Sequence, residues 1–164
     1  MSAAAFLVVA ALTVLSALVV VVHRHPIYSA LGLIGTLFFI AVLFLGLDAQ
    51  MVGFLQIIVY AGAIVVLFLF VIMLLNLQEE PEGLAAPALV VVATAGGLGL
   101  AALVATAVSR APLGEAPPLR EGYGLTVDVA KRLFTGYLLP FELTSILLLV
   151  AIVGAVVIGK KQRP

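Results

Sequence analysis

The chain has 164 residues, of which 65% are hydrophobic and only 10% charged, with zero formal net charge. A soluble domain carries about a quarter of its residues as charges, so this chain lacks the material for a wetted surface, and lipid is the simplest cover for its apolar one. The absence of cysteine excludes disulfides, thiolate metal sites, iron–sulfur ligation and cysteine nucleophiles, and the neutral balance excludes a basic field for nucleic acid.

The charges leave five long uncharged stretches, 1–22, 25–47, 49–78, 83–109 and 143–159. Crossing a hydrocarbon core takes roughly 20 helical residues, within about 17–25. The last stretch reaches only the lower limit, and Pro140 and Phe141 extend it, because proline is tolerated in the first turn of a helix. A single segment satisfies its own backbone in lipid only as a helix, and the alternation a membrane β-strand needs is missing. The expectation is an all-α polytopic membrane protein with a single membrane domain over 1–164. Its five transmembrane helices span about 3–22, 27–47, 52–77, 86–108 and 140–159, and a short amphipathic interfacial helix at about 126–137 precedes the last.

The first stretch has no basic leader and no Ala-x-Ala site after it, so it reads as a retained membrane helix rather than a signal peptide. His23-Arg24-His25-Pro26 forms the next turn; two histidines without a third ligand read as headgroup-level residues, not a metal site. The third helix contains Val59-Tyr60-Ala61-Gly62-Ala63, three small residues beside a tyrosine in an otherwise bulky run. Small residues let helices approach closely, and glycine also makes bends and π-bulges cheaper; the residues alone fit either use. Tyr60 places a hydroxyl well inside the span, and a buried hydroxyl needs a partner. Glu79-Glu80-Pro81-Glu82 reads as a solvated loop. Ala93, Gly97, Ala101 and Ala105 on the fourth helix, and Ala151, Ala155 and Gly159 on the fifth, form small-xxx-small faces against which other helices pack.

Between the fourth and fifth helices, 110–124 is rich in proline and glycine and reads as irregular loop. Thr126 can cap the helix that follows, Asp128 sits in its first turn, and Val129, Leu133, Phe134 and Tyr137 fall on one side.

No charged residue falls near the centre of a span, where proton carriers and ion sites are usually built from Asp, Glu, Lys or His. Asp48 and Glu142 are helix-end charges that read as terminators; Glu142 is placed in the first turn of the last helix, where the dipole favours an anion. No catalytic, cofactor-binding or metal-binding residue is expected in this chain. Tyr60, Thr36 and backbone atoms could still line a water path. Orientation from charge is a tie: with the N-terminus outside, Arg24, Lys160, Lys161 and Arg163 lie inside and Arg110, Arg120, Lys131 and Arg132 outside. Three inside charges immediately after the last helix tip the reading to N-outside.

The string QIIVYAGAIVVLFLFVIMLLN over 56–76 closely resembles the third helix of subunit J of the proton-pumping NADH–quinone oxidoreductase, respiratory complex I, whose mitochondrial counterpart is the sixth ND subunit. PFELTSILLLVA over 140–151 resembles the start of that family's fifth helix, and HPIYSAL over 25–31 the start of its second; Leu133, Phe134 and Tyr137 also fit. These matches fall in the family's order along the chain. The resemblance implies a place in the membrane arm beside subunits A, H, K and N, in a bacterial cytoplasmic membrane, with the N-terminus outside and the C-terminus cytoplasmic. It implies that FMN, iron–sulfur clusters and quinone are used by other subunits. It also implies a third helix that can hold a π-bulge, whose interconversion with α-helix gates a water path; Tyr60, Ala61, Gly62, Ala63 and Val66 are then the coupling or hinge candidates.

Two other classes of function compete. A self-sufficient small transporter or channel is disfavoured by the lack of intramembrane charges and of internal repeats. A scaffold subunit of another membrane complex fits the small-residue faces equally well.

Overall fold

The computed structural model describes residues 1–75, 87–110 and 122–160, and these are helical apart from short turns, with no strand among them. Five helices are long and apolar enough to cross a membrane.

Helix α1, Ala3–Val22, begins at Ser2, whose hydroxyl accepts from the Ala5 N–H at 3.3 Å and so satisfies one of the donors that a helix start leaves unpaired. Helix α2, Pro26–Gly46, starts on a proline that needs no acceptor for an N–H. The turn between them is held by Ser29 Oγ donating to the His23 carbonyl at 3.0 Å, and the rings of His23 and His25 stand 5.4 and 5.9 Å from Tyr28. The two helices meet through glycine. A Cβ on Gly32 would lie 3.1 Å from Val19 Cγ1 and 3.2 Å from the Ser16 carbonyl, and one on Gly35 would lie 3.3 Å from Ser16 Oγ. In lipid no hydrophobic force draws helices together, so such backbone proximity, with the dispersion it recovers, holds them. Thr13 and Thr36 donate to the carbonyls of Val9 and Gly32 in their own helices, at 2.8 and 2.9 Å. Thr36 therefore has its proton engaged and is a weaker candidate for lining water than Tyr60.

Helix α2 ends in a six-residue cap. The Ala49 N–H donates to Phe44 O at 2.9 Å and the Asp48 N–H to Leu45 O at 3.3 Å, the crossed pair of bonds of a Schellman turn. Asp48 takes the left-handed position, with φ +61, which glycine most often fills and Asp tolerates. Its role as a terminator is thus a backbone one.

Helix α3 runs Gln50–Leu75 and α4 Pro87–Arg110; the end expected for the third helix at 77, the Glu79–Glu82 loop, the start of the fourth at 86 and the 111–121 part of the loop lie outside the described residues. Helix α5, Thr126–Phe134, is shorter than the expected 126–137. Thr135 leaves helical geometry, its hydroxyl donates to Lys131 O at 2.7 Å, and the Tyr137 N–H reaches back to Arg132 O at 3.0 Å. Thr126 is not its cap. Leu125 holds that position in an extended conformation, without a side-chain bond, and its carbonyl accepts from the Val129 N–H at 3.2 Å. Asp128 and Arg132 pair across one turn at 3.3 Å. Helix α6, Leu138–Gly159, starts two residues before the expected 140. Pro140 becomes its third residue, still within the turn whose N–H groups have no intrahelical acceptor. Glu142 is therefore past the first turn, and its dipole argument weakens accordingly.

The buried apolar residues among those described are Ala30, Ala41, Val65 and Ile72, all on α2 and α3. Helices α1–α3 form one packed unit, α6 meets only α5, and α4 packs on no other described element. Nothing lies within 4 Å of a Cβ built on Gly97 or Gly159, so the small-residue faces of α4 and α6 have no occupant within the described chain. Replacing Asp48 by glycine should leave stability unchanged or raise it, while Asp48→Val should lower it by about 1–2 kcal/mol, the cost of forcing a branched residue left-handed, read as the unfolding midpoint of the detergent-solubilised chain.

Candidate functional site: the π-helical segment of α3

Within α3, residues Gln56–Ile64 form a nine-residue π-helical segment between α-helical Gln50–Leu55 and Val65–Leu75. Its bonds run to the fifth residue back, as in the Val65 N–H donating to Tyr60 O. Such segments are rare and are mostly single-turn bulges. Tyr60, Ala61, Gly62 and Ala63 all fall inside it, and Val66 is the second residue of the α-helix beyond. Asp48 stands at the turn before α3, while Glu142 is on α6, exposed, with its carbonyl accepting from Ser145 Oγ at 2.7 Å; neither joins the segment.

The packing of α3 on α2 explains why a π segment suits this position. Gly53 is buried, and a Cβ there would lie 2.9 Å from Leu45 Cγ and Cδ2 and 3.2 Å from the Ala41 carbonyl. Further along, Val65 and Ile72 are 3% and 7% exposed, on the part of α3 whose one described neighbouring helix is α2. In an unbroken α-helix each residue turns by about 100°, so Gly53 and Val65, twelve residues apart, would stand about 120° apart. A π segment that absorbs one residue removes about 100° of that phase and brings both to one side. Val65 and Ile72, seven residues apart, are already within about 20°.

The same arithmetic identifies the alternative. If Gln56–Ile64 became α-helical with Gly53 still against α2, Ile64 and Val71 would replace Val65 and Ile72 on the α2 side, each within about 20° of Gly53. At present Ile64 and Val71 are 51% and 42% exposed. An unbroken α-helix would thus set a second register on α2, with each buried residue exchanged for its predecessor.

Gly62 bears directly on the balance. A Cβ there would lie 3.1 Å from the Ile57 carbonyl oxygen, five residues back, so any side chain at 62 crowds the π ladder, while alanine gains about 1 kcal/mol of α-helical propensity over glycine.

Gln56 was not among the candidates read from the sequence. Its amide opens the π segment, half-buried and one turn before Tyr60. Neither the Gln56 amide nor the Tyr60 hydroxyl has a hydrogen-bond partner among the described residues. The available signal was a side-chain amide in an otherwise apolar run.

Residues 16–158 match the family described as NADH-ubiquinone/plastoquinone oxidoreductase chain 6. The chain belongs to this family. It is 38% identical to NADH-quinone oxidoreductase subunit J of Pseudomonas aeruginosa, with 96% of each chain covered. It is 35% identical to the subunit J of Escherichia coli, over 97% of this chain and 87% of the relative. It is 39% identical to NAD(P)H-quinone oxidoreductase chain 6 of Synechocystis, over 96% of this chain and 80% of the relative. The match begins within the last two turns of α1 and covers α2, α3 with its π segment, α4, α5 and almost all of α6.

The register argument makes a sharp distinction between neighbours. Ile72→Ala should disfavour the π register by about 2 kcal/mol, the low end for deleting a buried Ile side chain, which is roughly thirtyfold in a two-state balance. Val71→Ala should not shift α3 away from the π register. The ratio of π to α density for α3 in images of the assembled complex measures both.

Proposed function

We propose that this chain is a membrane-arm subunit of a proton-translocating NADH–quinone oxidoreductase, in which α3 couples quinone reduction to proton movement. The observation that carries this reading is the π segment Gln56–Ile64, set between two contacts with α2 that an unbroken α-helix cannot make together. Coupling needs a two-state element whose balance two sites can bias, and a helix with two registers on one neighbour is such an element.

On this reading the chain has no active site of its own. It has no cysteine to ligate an iron–sulfur cluster and no charged residue within the described part of its spans near mid-membrane to carry a proton. FMN, iron–sulfur clusters and quinone belong to other subunits. Its contribution is geometric: conversion of Gln56–Ile64 to α-helix turns that segment progressively, Tyr60 in part, and turns the helix from Val65 on by about 100°. An amide and a hydroxyl inside a membrane need partners, and water or a neighbouring subunit supplies them. Turning α3 then connects or breaks that hydration.

The exposed faces of α4 and α6 are read as contacts to neighbouring membrane subunits, A, H, K and N by the family resemblance, with lipid over the remainder. The chain sits in the bacterial cytoplasmic membrane, N-terminus outside and C-terminus cytoplasmic, an orientation that five crossings permit because an odd number leaves the termini on opposite faces.

Gly62→Leu in the assembled complex tests the reading. It should leave NADH–quinone electron transfer measurable while lowering the protons moved per electron in proteoliposomes, because leucine at 62 crowds the Ile57 carbonyl and drives the segment towards α. Assembled enzyme with the normal proton-to-electron ratio would reduce Gly62 to a packing residue.

A further inference from the structure

Helices α5 and α6 meet the α1–α3 unit at one place among the described elements, where α5 approaches the first turn of α3. The contact is made by backbone. Gly124, in the turn that leads into α5, offers its carbonyl to the Met51 N–H at 2.9 Å. Met51 is the second residue of α3, and its N–H is one of the donors that a helix start leaves without an intrahelical acceptor. Leaving such a donor unpaired at the edge of a bilayer is costly.

The fit is close on both sides. Gly124 has φ +76. A Cβ on it would overlap the Asp48 carbonyl oxygen and lie 3.1 Å from Ala49 Cα. These are backbone atoms of the Schellman turn that closes α2, so they cannot swing aside as a side-chain tip would. Asp48 itself is held at φ +61 by the crossed bonds of that turn. Two left-handed turns thus lie backbone to backbone, one closing α2 and opening α3, the other opening α5. Gly122 makes a useful contrast: its φ is +82, yet a Cβ there would meet nothing nearer than Leu125 Cδ1 at 3.9 Å.

We propose that the 122–125 turn is a clamp on the start of α3, with Gly124 as a positioning residue, and that it fixes this end so that any exchange between π and α registers delivers its turn to the part of α3 from Val65 on. The clamp and Gly53 together hold about the first turn of α3, and a rotation blocked at one end must be delivered at the other. The proposal rests on the two-register reading of α3, and it adds which end moves and what holds the fixed one.

Three measurements on the intact complex test it. In the unmodified complex the Met51 amide should exchange with solvent deuterium at least tenfold slower than its free-chain rate; exchange near the free-chain rate overturns the clamp without any variant being needed. Gly124→Ala should raise Met51 exchange at least tenfold and lower the protons moved per electron while NADH–quinone turnover stays within about twofold, whereas Gly122→Ala should leave Met51 exchange within twofold. Equal effects of the two substitutions would mean that backbone strain, not overlap with Asp48, is being read, and would overturn the proposal. So would Gly124→Ala raising exchange with an unchanged proton-to-electron ratio in a complex where Gly62→Leu does lower that ratio. If Gly62→Leu also leaves the ratio unchanged, it is the two-register reading that fails, and the positioning role falls with it.

Discussion

Everything distinctive in this chain depends on the register of α3 against α2. Gly53 lies against Leu45 and the Ala41 carbonyl, and Val65 and Ile72 are buried further along. Between membrane helices the attraction is packing, not water exclusion, so each of these contacts is worth keeping and no straight α-helix keeps them all. The π segment is the compromise. The alternative register would exchange Val65 for Ile64 and Ile72 for Val71, one branched aliphatic for another in both cases. A volume-conserving hydrophobic exchange is usually tolerated for under about 1.5 kcal/mol. A string of interchangeable β-branched residues is what the proposed exchange of registers draws on, with the small residue at 62 inside the segment that would convert.

The rest of the chain is arranged around that unit rather than folded into it. Among the described residues, helix α4 packs on no other element and α6 touches only α5. Exposed Leu and Val on both, with Gly97 and Gly159 facing open space, form surfaces that lipid or another helix can cover, and the glycines permit closer approach than lipid needs. A chain of this kind offers a larger assembly apolar walls from α4 and α6.

The membrane architecture was legible because charges are expensive in hydrocarbon, so their spacing marks the spans. Asp48 was legible as a terminator for the same reason, although the left-handed backbone that makes it one was not. The ends of α5 and α6 were less legible. Thr126 resembled a cap, but Leu125 holds the cap position, and the preceding turn through Gly122 and Gly124 fixes how the chain enters the helix. Glu142 was placed one turn too early because Pro140 looked like a beginning, whereas Leu138 and Leu139 extend the helix before it. The Tyr60–Ala63 run could not be resolved into packing or hinge from its residues, since small side chains serve both. The resemblance named the π-bulge, but the register arithmetic needed to know that Gly53 and Val65 share a side, which only the packing on α2 discloses. Gln56 was overlooked because one amide in a long apolar run carries little weight until it is found half-buried, opening the irregular segment.

The chemistry of α3 also limits what it can do. Neither Gln56 nor Tyr60 is one of the Asp, Glu, Lys or His residues from which intramembrane proton sites are usually built, so on the proposed reading they act by holding water or a neighbour in place. Position is then the whole of their effect, and it matters which part of the helix moves. On the proposed reading, with the start of α3 held at Met51 and Gly53, Tyr60 lies mid-segment and turns only in part, whereas Val66 and Phe70 lie beyond the segment and turn by about 100° between registers. On the proposed reading a gate built this way needs no charged residue in the chain that operates it, and none falls near the centre of a described span.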